Sequence, residues 1–562
     1  MTLLDWAVLV LTTAAIVGWG MWKTRNAAQS SEDFIRGAYA QKWPTIGLAV
    51  MATQASAITF LSTPGQAYED GLRFVQFYFG MPLAMVLISA VFIPIYYRLK
   101  VSTAYEYLES RFDLKTRLLG ATLFLVQRGL ASGITLYAPA IILSAIMGWP
   151  LEPTVVSIGA VVILYTVVGG AAAVAQTQKH QMVVMLGGMA AAGVAIVFLL
   201  PESVSASQAL EVAGAFGRIN AVSFSFDLND RYNFWSGITG GFFLALSYFG
   251  TDQSQVGRYL AGKSIAESRL GLLFNGVLKI PMQFGILCVG LLVFVFYQFT
   301  APPLLFNDSL RTRALASPAA AELTALEQKW QGVHAAKRAE VEKFLSQPAG
   351  ERDKTALLAA AKESAAVRAE AKALVARALP GAETKDSDYI FIGFVKRWLP
   401  SGLLGLLVTV IFAAAMSSIS SELSALGGTT TVDFYRRLGR RKLDDAQVLK
   451  ASKLFTVFWG AVAIAFASFA ALLDNLIQAV NILGSLFYGT VLGLFVVAFF
   501  LKRVQGHAVF FAGLVAQSTV LALFFTTKIG YLWFNVIGCA VVVVVAVALQ
   551  AAGVKPRQPG AA

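Results

Sequence analysis

Charged residues, cysteine and histidine are all scarce in this chain of 562 residues. Asp, Glu, Lys and Arg make up only 14% of it and hydrophobic residues 57%, which excludes a soluble domain. The two cysteines, Cys288 and Cys539, fall in separate apolar segments, so they predict neither a disulfide framework nor a metal site. The three histidines are scattered, and no nucleophile is spaced with a base. We therefore expect no enzyme.

Long apolar segments are abundant, and a membrane-spanning helix needs about 20 apolar residues. About thirteen segments qualify, which predicts an all-α polytopic membrane protein with the lipid bilayer as its partner. They lie near 3–22, 44–68, 74–97, 118–147, 152–170, 180–200, 236–256, 269–299, 400–427, 454–473, 475–501, 507–526 and 530–551. The first segment lacks a preceding charged run and a cleavage site, so it is expected to be a retained anchor.

The positive charge of the chain, +13 overall, is concentrated in alternate short loops. Clusters of Lys and Arg occur at 98–117, 436–442 and 502–503, and the tail adds Lys555 and Arg557. Cytoplasmic loops of membrane proteins are enriched in these residues. The pattern predicts a cytoplasmic (inner) membrane protein with its N-terminus outside and its C-terminus inside. It also gives no support to a nucleic-acid partner.

One stretch interrupts the apolar pattern. From about 306 to 388 the chain is rich in Ala with interspersed Glu, Lys and Arg, which predicts helix outside the membrane. Its role stays open between a lid or partner-docking element and an insertion without a functional role. The predicted organisation is a transmembrane region at 1–299, an extracytoplasmic insertion with a helical hairpin at 300–399, a transmembrane region at 400–551 and a short cytoplasmic tail at 552–562.

Two apolar segments carry unexpected oxygen groups. One holds four serines, Ser417, Ser418, Ser420 and Ser421, after three alanines; the other runs from Met51 into Thr63-Pro64-Gly65. Hydroxyls, and carbonyls freed where a helix breaks, are hard ligands that suit a small cation. Serines bonded back to their own helix and alanines that permit close packing are the simpler alternative. The predicted sodium ligands are Ala52, Ala55, Ala414, Ser417 and Ser418.

Four charged residues fall at membrane depth, where each costs roughly 2.5–3.5 kcal/mol on insertion scales. They are Arg128, Asp252, Lys279 and Glu422. Two structural ion pairs would satisfy them, or some of them line a substrate cavity.

The octapeptide Gly257-Arg258-Tyr259-Leu260-Ala261-Gly262-Lys263-Ser264 matches the phosphate-loop pattern letter for letter. A working phosphate loop follows a strand and opens a helix in a soluble α/β domain. Here it follows an apolar helix, so we expect no nucleotide partner.

Several longer motifs accompany these residues. They are Ser56-Ala57-Ile58-Thr59, Tyr105-Glu106-Tyr107-Leu108-Glu109, Leu136-Tyr137-Ala138-Pro139-Ala140 and Arg258-Tyr259-Leu260. With the serine segment, they make the chain resemble the sodium:solute symporter family from about Asp5 to Arg503, apart from the insertion. The second and third motifs look most like the iodide, multivitamin and monocarboxylate branch. The resemblance implies a leucine-transporter-like fold, with inverted repeats in spans 2–6 and 7–11, and a sodium site at the five residues named above.

The chain also departs from the family pattern. Some members carry a second sodium-binding Asp in a Trp-Thr-Asp motif, where this chain has Gln176-Thr177-Gln178. The resemblance therefore implies one sodium per cycle, with a possible second cation site at Gln178, Ser420, Ser421 and Glu422. Sugar carriers of the family have Gln at the position of Thr59 and Glu at that of Tyr78, which argues against a hexose.

The combined prediction is a sodium-coupled symporter that imports a small solute, with an anion or a carboxylate favoured by Lys279 and Arg128. A proton-coupled carrier of the same fold, a channel and a transporter-like membrane receptor are the alternatives. The transported sodium ion is the expected cofactor. The predicted solute-binding residues are Thr59, Phe77, Tyr78, Asp252, Lys279, Gln478 and Asn481.

Overall fold

A computed structural model describes residues 1–24, 41–99, 101–348, 351–382, 384–439, 443–468 and 476–553. Within these ranges the regular secondary structure is helical, apart from an isolated β-bridge between Gln41 and Gly262, and turns and loops connect the helices. The predicted cytoplasmic tail lies outside the described residues from 554 onwards.

The first half of the chain contains an apolar helical segment that is interrupted at Ala55, and its two parts are described as separate helices. The helices of this half are α1 (Leu3–Thr24), α2 (Trp43–Gln54), α3 (Ala57–Asp70), α4 (Met81–Leu87), α5 (Ile93–Leu99), α6 (Ala104–Arg111), α7 (Leu114–Met147), α8 (Leu151–Leu199), α9 (Ala206–Ala215), α10 (Gly241–Thr251) and α11 (Gln253–Leu260). A 3₁₀ segment, Gly71–Tyr78, follows α3, and π-helical turns, Ile88–Phe92 and Ser236–Gly240, precede α5 and α10.

The second half contains the insertion and the serine-bearing helix. Its helices are α12 (Ile265–Phe299), α13 (Asp308–Leu315), α14 (Ala320–Ser346), α15 (Thr355–Ala378), α16 (Ser387–Trp398), α17 (Leu403–Thr429), α18 (Arg436–Leu438), α19 (Asp445–Ala467), α20 (Leu476–Phe500), α21 (Gly506–Thr526) and α22 (Leu532–Ala551).

Ten helical segments of the described residues are long and apolar enough to cross a membrane, three fewer than the sequence analysis counted. The apolar part of α1, Leu3–Ile16, is too short to be included. The predicted segment 44–68 is split at Ala55, and its second part continues into the next predicted segment as Ala57–Leu99. The predicted segment 236–256 ends at Thr251, because α10 stops there.

The serine-bearing helix α17 lies at the centre of the fold, where it packs against α1, α7, α8 and α19. Glycines allow close approach around the broken helix. A Cβ on Gly65 would lie 2.1 Å from the carbonyl oxygen of Ser387, so α16 sits directly against α3. The start of α16 is therefore tied to the segment that carries the break.

The insertion forms a hairpin of α14 and α15 with its own apolar core. Leu323, Leu326 and Trp330 lie on one face of α14 and are buried in this core, and Val333 is partly buried. The indole of Trp330 donates a 2.8 Å hydrogen bond to the carbonyl oxygen of Pro302, which fixes the hairpin to the end of the preceding transmembrane region.

Candidate functional site

The break between α2 and α3 exposes backbone carbonyls inside the protein. Ala55 separates the two helices with φ −82° and ψ 73°, and Ser56 begins α3 in an extended conformation. Because no further helix turn continues from α2, the carbonyl oxygens near its end lack helical donors and are available to other groups.

The serine hydroxyls of α17 meet these carbonyls. Ser417 donates to the Ala52 oxygen at 3.1 Å, and Ser418 donates to the Thr53 oxygen at 3.1 Å and to the Ala52 oxygen at 3.4 Å. All four residues are buried. Ala55 is buried at the break, and Ala414 is buried one helical turn before Ser418. Oxygens from two distant segments thus converge, as hard-cation binding requires.

A second polar group lies beside the first. The amide nitrogen of Gln178 donates to the hydroxyl of Ser421 at 2.8 Å, to that of Thr53 at 3.1 Å and to the carbonyl oxygen of Ser417 at 3.2 Å. Ser420 does not join this group, because its hydroxyl bonds back to the carbonyls of Met416 and Ser417. The predicted second cation set is therefore only partly brought together.

A cavity of about 90 Å³ opens beside the break. Four of the predicted solute-binding residues line it: Thr59, Phe77, Tyr78 and Asn481. The remaining polar and aromatic lining comes from Thr53, Gln54, Ser56, Arg128, Thr135, Tyr248, Glu422 and Tyr488.

Of the four charged residues predicted at membrane depth, three form one cluster and the fourth, Lys279, stands apart. The guanidinium of Arg128 pairs with Asp252 through two nitrogens and with Glu422 at 3.2 Å, and it donates to the Tyr488 hydroxyl at 2.6 Å. Glu422, expected beside the serines, is thus turned towards Arg128. Lys279 is fully buried with no hydrogen-bond partner for its ammonium among the described residues. The alternative of two separate ion pairs is wrong.

Three predicted solute-binding residues stand outside the cavity lining. Asp252 lies behind Arg128, and the Lys279 ammonium lies 5.6 Å from the centroid of the Tyr78 ring. Gln478 bonds to Arg231 at 2.5 Å and to Gln66 at 2.8 Å.

Two polar contributors to the site, Thr53 and Tyr488, are not among the residues predicted from the sequence. Thr53 supplies both a carbonyl to Ser418 and a hydroxyl to Gln178, and its position directly after Ala52 was the available signal. Tyr488 gave no signal, because a single Tyr in an apolar helix is ordinary.

The broken helix, the converging oxygens and the apolar spans define a multi-pass helical membrane protein of the leucine-transporter-like fold. A solved structure of a substrate-bound, outward-open Na⁺-coupled sialic acid symporter supports that class, with a TM-score of 0.76 over 99% of both chains. At 23% sequence identity, this likeness concerns the fold alone. The predicted fold class is confirmed.

The chain belongs to the sodium:solute symporter family, whose profile matches residues 34–311 and 361–516. The expected family is thereby confirmed. The unmatched internal residues, 312–360, include all of α14, so the insertion hairpin is largely outside the family pattern.

Curated relatives match different shares of the chain. The human sodium/iodide cotransporter is 36% identical over 54% of this chain and 47% of its own length. The sodium-coupled monocarboxylate transporter 1 of Xenopus laevis is 26% identical over 87% of this chain and 66% of its own length. The rabbit sodium-dependent multivitamin transporter is 33% identical over 45% of this chain and 39% of its own length. The chain thus covers less than two thirds of the length of these relatives.

Proposed function

We propose that this protein is a sodium-coupled symporter that imports a small solute by alternating access. The observation that supports this most directly is the convergence of the Ser417 and Ser418 hydroxyls with the Ala52 and Thr53 carbonyl oxygens. All of these oxygens are neutral and buried. Neutral ligands leave the ionic charge uncompensated, which disfavours a divalent ion at this depth and suits monovalent sodium.

The balance of buried charge favours a monovalent anion as the solute. Arg128 and Lys279 contribute two positive charges near the cavity, and Asp252 and Glu422 contribute two negative charges. One bound sodium leaves this region with a net positive charge, which an anionic solute neutralises. The names of two relatives specify iodide and monocarboxylate, which are both monovalent anions. A cavity of about 90 Å³ suits a compact solute of this kind.

Sodium drives the transport cycle through its effect on the break between α2 and α3. A bound ion links the end of α2 to α17, and so holds the cavity-lining start of α3 in one orientation. A ligand shifts a conformational equilibrium only by its differential affinity for the two states. Sodium bound at this position favours the solute-competent outward state.

The proposal includes an inner-membrane location with the N-terminus outside and the C-terminus inside. The arrangement of Lys and Arg in alternate loops supports this orientation. The α14–α15 hairpin then lies on the extracytoplasmic side.

A proton-coupled carrier is the second candidate, and one observation favours it. The Oε2 atom of Glu422 is buried with no hydrogen-bond partner among the described residues, and Glu422 lines the cavity. A carboxylate in that position can accept a proton during transport.

Uptake into proteoliposomes distinguishes the two. Labelled iodide and short monocarboxylates are supplied with an inward sodium gradient, with an inward proton gradient in choline, or with neither. We expect accumulation under the sodium gradient without a net current, because the charges of one sodium ion and one monovalent anion cancel. Accumulation under the proton gradient alone would select the proton-coupled carrier, and no accumulation of any anion would contradict the anionic solute.

The sodium site is tested in the same vesicles with Ser418→Ala. Loss of one hydroxyl ligand, worth about 1 kcal/mol, raises the half-activating sodium concentration about fivefold. Ser424→Ala is the matched control, since Ser424 is buried on the same helix and its hydroxyl has no hydrogen-bond partner among the described residues. An unchanged sodium dependence in Ser418→Ala would remove this serine from the site.

A further inference from the structure

A segment between α9 and α10 carries an apolar residue at every second position. Apolar and polar residues alternate strictly over residues 222–229, Val-Ser-Phe-Ser-Phe-Asp-Leu-Asn, which we call the alternating segment. Such alternation is typical of a strand with one buried face. In the described part of the chain this segment belongs to no sheet. The hydroxyls of Ser223 and Ser225 lie 3.0 Å apart, so the polar residues nevertheless share one side.

The apolar side chains of the alternating segment are exposed. Phe224 and Phe226 are 68% and 66% exposed, and Val222 and Leu228 are 43% and 42% exposed. Exposed apolar patches of this kind mark interaction surfaces. The described part of the chain leaves this one largely uncovered.

The alternating segment lies where two membrane-spanning helices end. The carbonyl oxygen of Leu228 accepts a 2.8 Å hydrogen bond from the N–H of Gly530, in the connection between α21 and α22. The ring centroids of Phe226 and Trp533 are 6.2 Å apart, and Trp533 belongs to the first turn of α22. Phe525, in the last turn of α21, is 80% exposed. Both helices are long and apolar enough to cross a membrane, so the exposed apolar face adjoins the lipid-facing surface.

The backbone of the alternating segment suits this position. The carbonyl oxygens of Phe224 and Asp227 accept hydrogen bonds from the indole of Trp235 at 3.0 Å and from the side-chain amide of Asn233 at 2.8 Å. Backbone groups near lipid need such internal partners. The Trp235 ring, 41% exposed, has its centroid 6.4 Å from that of Phe226, and Trp is enriched at membrane interfaces.

The alternating segment is also bonded to the wall of the cavity. Gln76, in the 3₁₀ segment Gly71–Tyr78, is fully buried. Its amide oxygen accepts from the N–H of Ser223 at 2.9 Å, and its amide nitrogen donates to the Tyr232 carbonyl oxygen at 2.8 Å. The next residue, Phe77, lines the cavity. A displacement of the alternating segment therefore acts on this wall.

We infer that the alternating segment rests in the interfacial region of the bilayer, with Val222, Phe224, Phe226 and Leu228 towards lipid, and that it anchors the 3₁₀ wall of the cavity to the membrane. The partner is a lipid surface, because the segment contacts the ends of α21 and α22, where the bilayer begins. Its polar side, with the exposed Asp227, stays in water, as in other interfacial elements. A second copy of the chain is the competing occupant, since an unpaired extended segment can also bind another chain.

Nitroxide labels on single cysteines of the full-length protein in liposomes test the location. Oxygen concentrates in the bilayer and a nickel chelate in water, so the ratio of their collision rates with the label reports its depth. We expect this ratio to be several-fold higher for the label at Phe226→Cys than for the matched control, Ser225→Cys, on the polar side of the same segment.

Reference positions set the scale of this measurement. Val544→Cys, 65% exposed in α22, reports lipid, and Thr324→Cys, exposed on α14 of the hairpin, reports water. The protein with only its native Cys288 and Cys539, labelled in the same way, gives the background.

Hydrogen exchange in liposomes tests the link to the cavity. Phe224→Ser combined with Phe226→Ser removes the apolar anchor, and we expect several-fold faster exchange over Gly71–Tyr78 with unchanged exchange in α17. Ser225→Ala is the matched control and should leave both regions as in wild type.

The outcomes that contradict the inference are distinct. A label at Phe226→Cys that meets the nickel chelate as often as the Thr324→Cys label would overturn the membrane location. A label shielded from both reagents would show that protein covers this face, and spin–spin broadening would identify a second copy. Unchanged exchange over Gly71–Tyr78 in the double Phe variant would overturn the anchoring of the wall. None of these measurements involves sodium or solute, so their failure leaves the proposed symport untouched.

Discussion

Two buried ion clusters in this protein have opposite arrangements of charge. In the transmembrane region one cation, Arg128, lies between the carboxylates of Asp252 and Glu422, which gives a net charge of −1. At the base of the insertion hairpin one carboxylate, Asp386, lies between two cations of α15, which gives a net charge of +1. The backbone N–H of Phe306 also donates to Asp386 at 2.8 Å.

The two clusters differ in their access to water. The side chains of the Arg128 cluster are between 1% and 6% exposed. In the other cluster, Arg368 and Lys372 are 17% and 25% exposed although Asp386 is completely buried. A partner lost from the first cluster cannot be replaced by solvent, whereas the cations of the second can turn outwards. The two clusters therefore have different roles, although each contains two ion pairs. The Arg128 cluster fixes the charge around the cavity, and the Asp386 cluster holds the hairpin in place.

Removal of the central cation should have the largest effect. Arg128→Met leaves Asp252 and Glu422 buried without a counter-charge, and we expect a loss of about 3–5 kcal/mol in stability. Thermal unfolding in detergent, with the recovery of monodisperse protein, measures it.

The compensated triple variant is the control for that substitution. Arg128→Met combined with Asp252→Asn and Glu422→Gln removes all three charges together and should recover most of the lost stability. A single variant as stable as wild type, or a triple variant no better than the single one, would contradict the role of this cluster.

The equivalent substitution in the hairpin cluster should cost less. Asp386→Asn leaves two partly exposed cations, and we expect about 1–2 kcal/mol, confined to the docking of α15 and α16. Hydrogen exchange resolved by peptide should show faster exchange there and unchanged exchange in α17. Glu370→Gln is the control, because the Glu370–Lys329 pair is more than half exposed and should contribute little.

Sequence reasoning was most effective where a residue type conflicted with its surroundings. Four serines in an apolar run directed attention to α17, and the segment from Met51 to Gly65 contains the helix break that meets it. The break itself lies at Ala55 and not at Pro64-Gly65, because α3 continues through both of those residues. The buried face of the α14–α15 hairpin follows the helical spacing of its apolar residues.

The ion-pair and hydrogen-bond partners of the buried polar residues could not be predicted from the sequence in the same way. The residues next to Arg128 in the sequence do not indicate that it pairs with both Asp252 and Glu422, so that Lys279 has no carboxylate partner among the described residues. This pairing depends on how α7, α10 and α17 pack together. The orientation of Gln178 is likewise set by oxygens from α2 and α17. The predicted spans and the continuous apolar helices of the described residues differ for a related reason: hydropathy does not register where a helix breaks or ends early.

The pH dependence of hairpin docking should give the smallest effect and the finest contrast between the clusters. Burial alone would raise the pKa of Asp386, but Arg368 and Lys372 outweigh it and hold this pKa below its ordinary value of 3.8. A carboxyl group with a depressed pKa stabilises the folded state above its unfolded pKa, and that contribution is lost as pH falls through the folded value. The hairpin should therefore remain docked at pH 5 and become susceptible to pepsin within α14 and α15 only below about pH 4. In Asp386→Asn the same cleavage should already occur at pH 5 and change little on acidification. Cleavage of wild type with an onset well above pH 4 would mean that another group controls the docking.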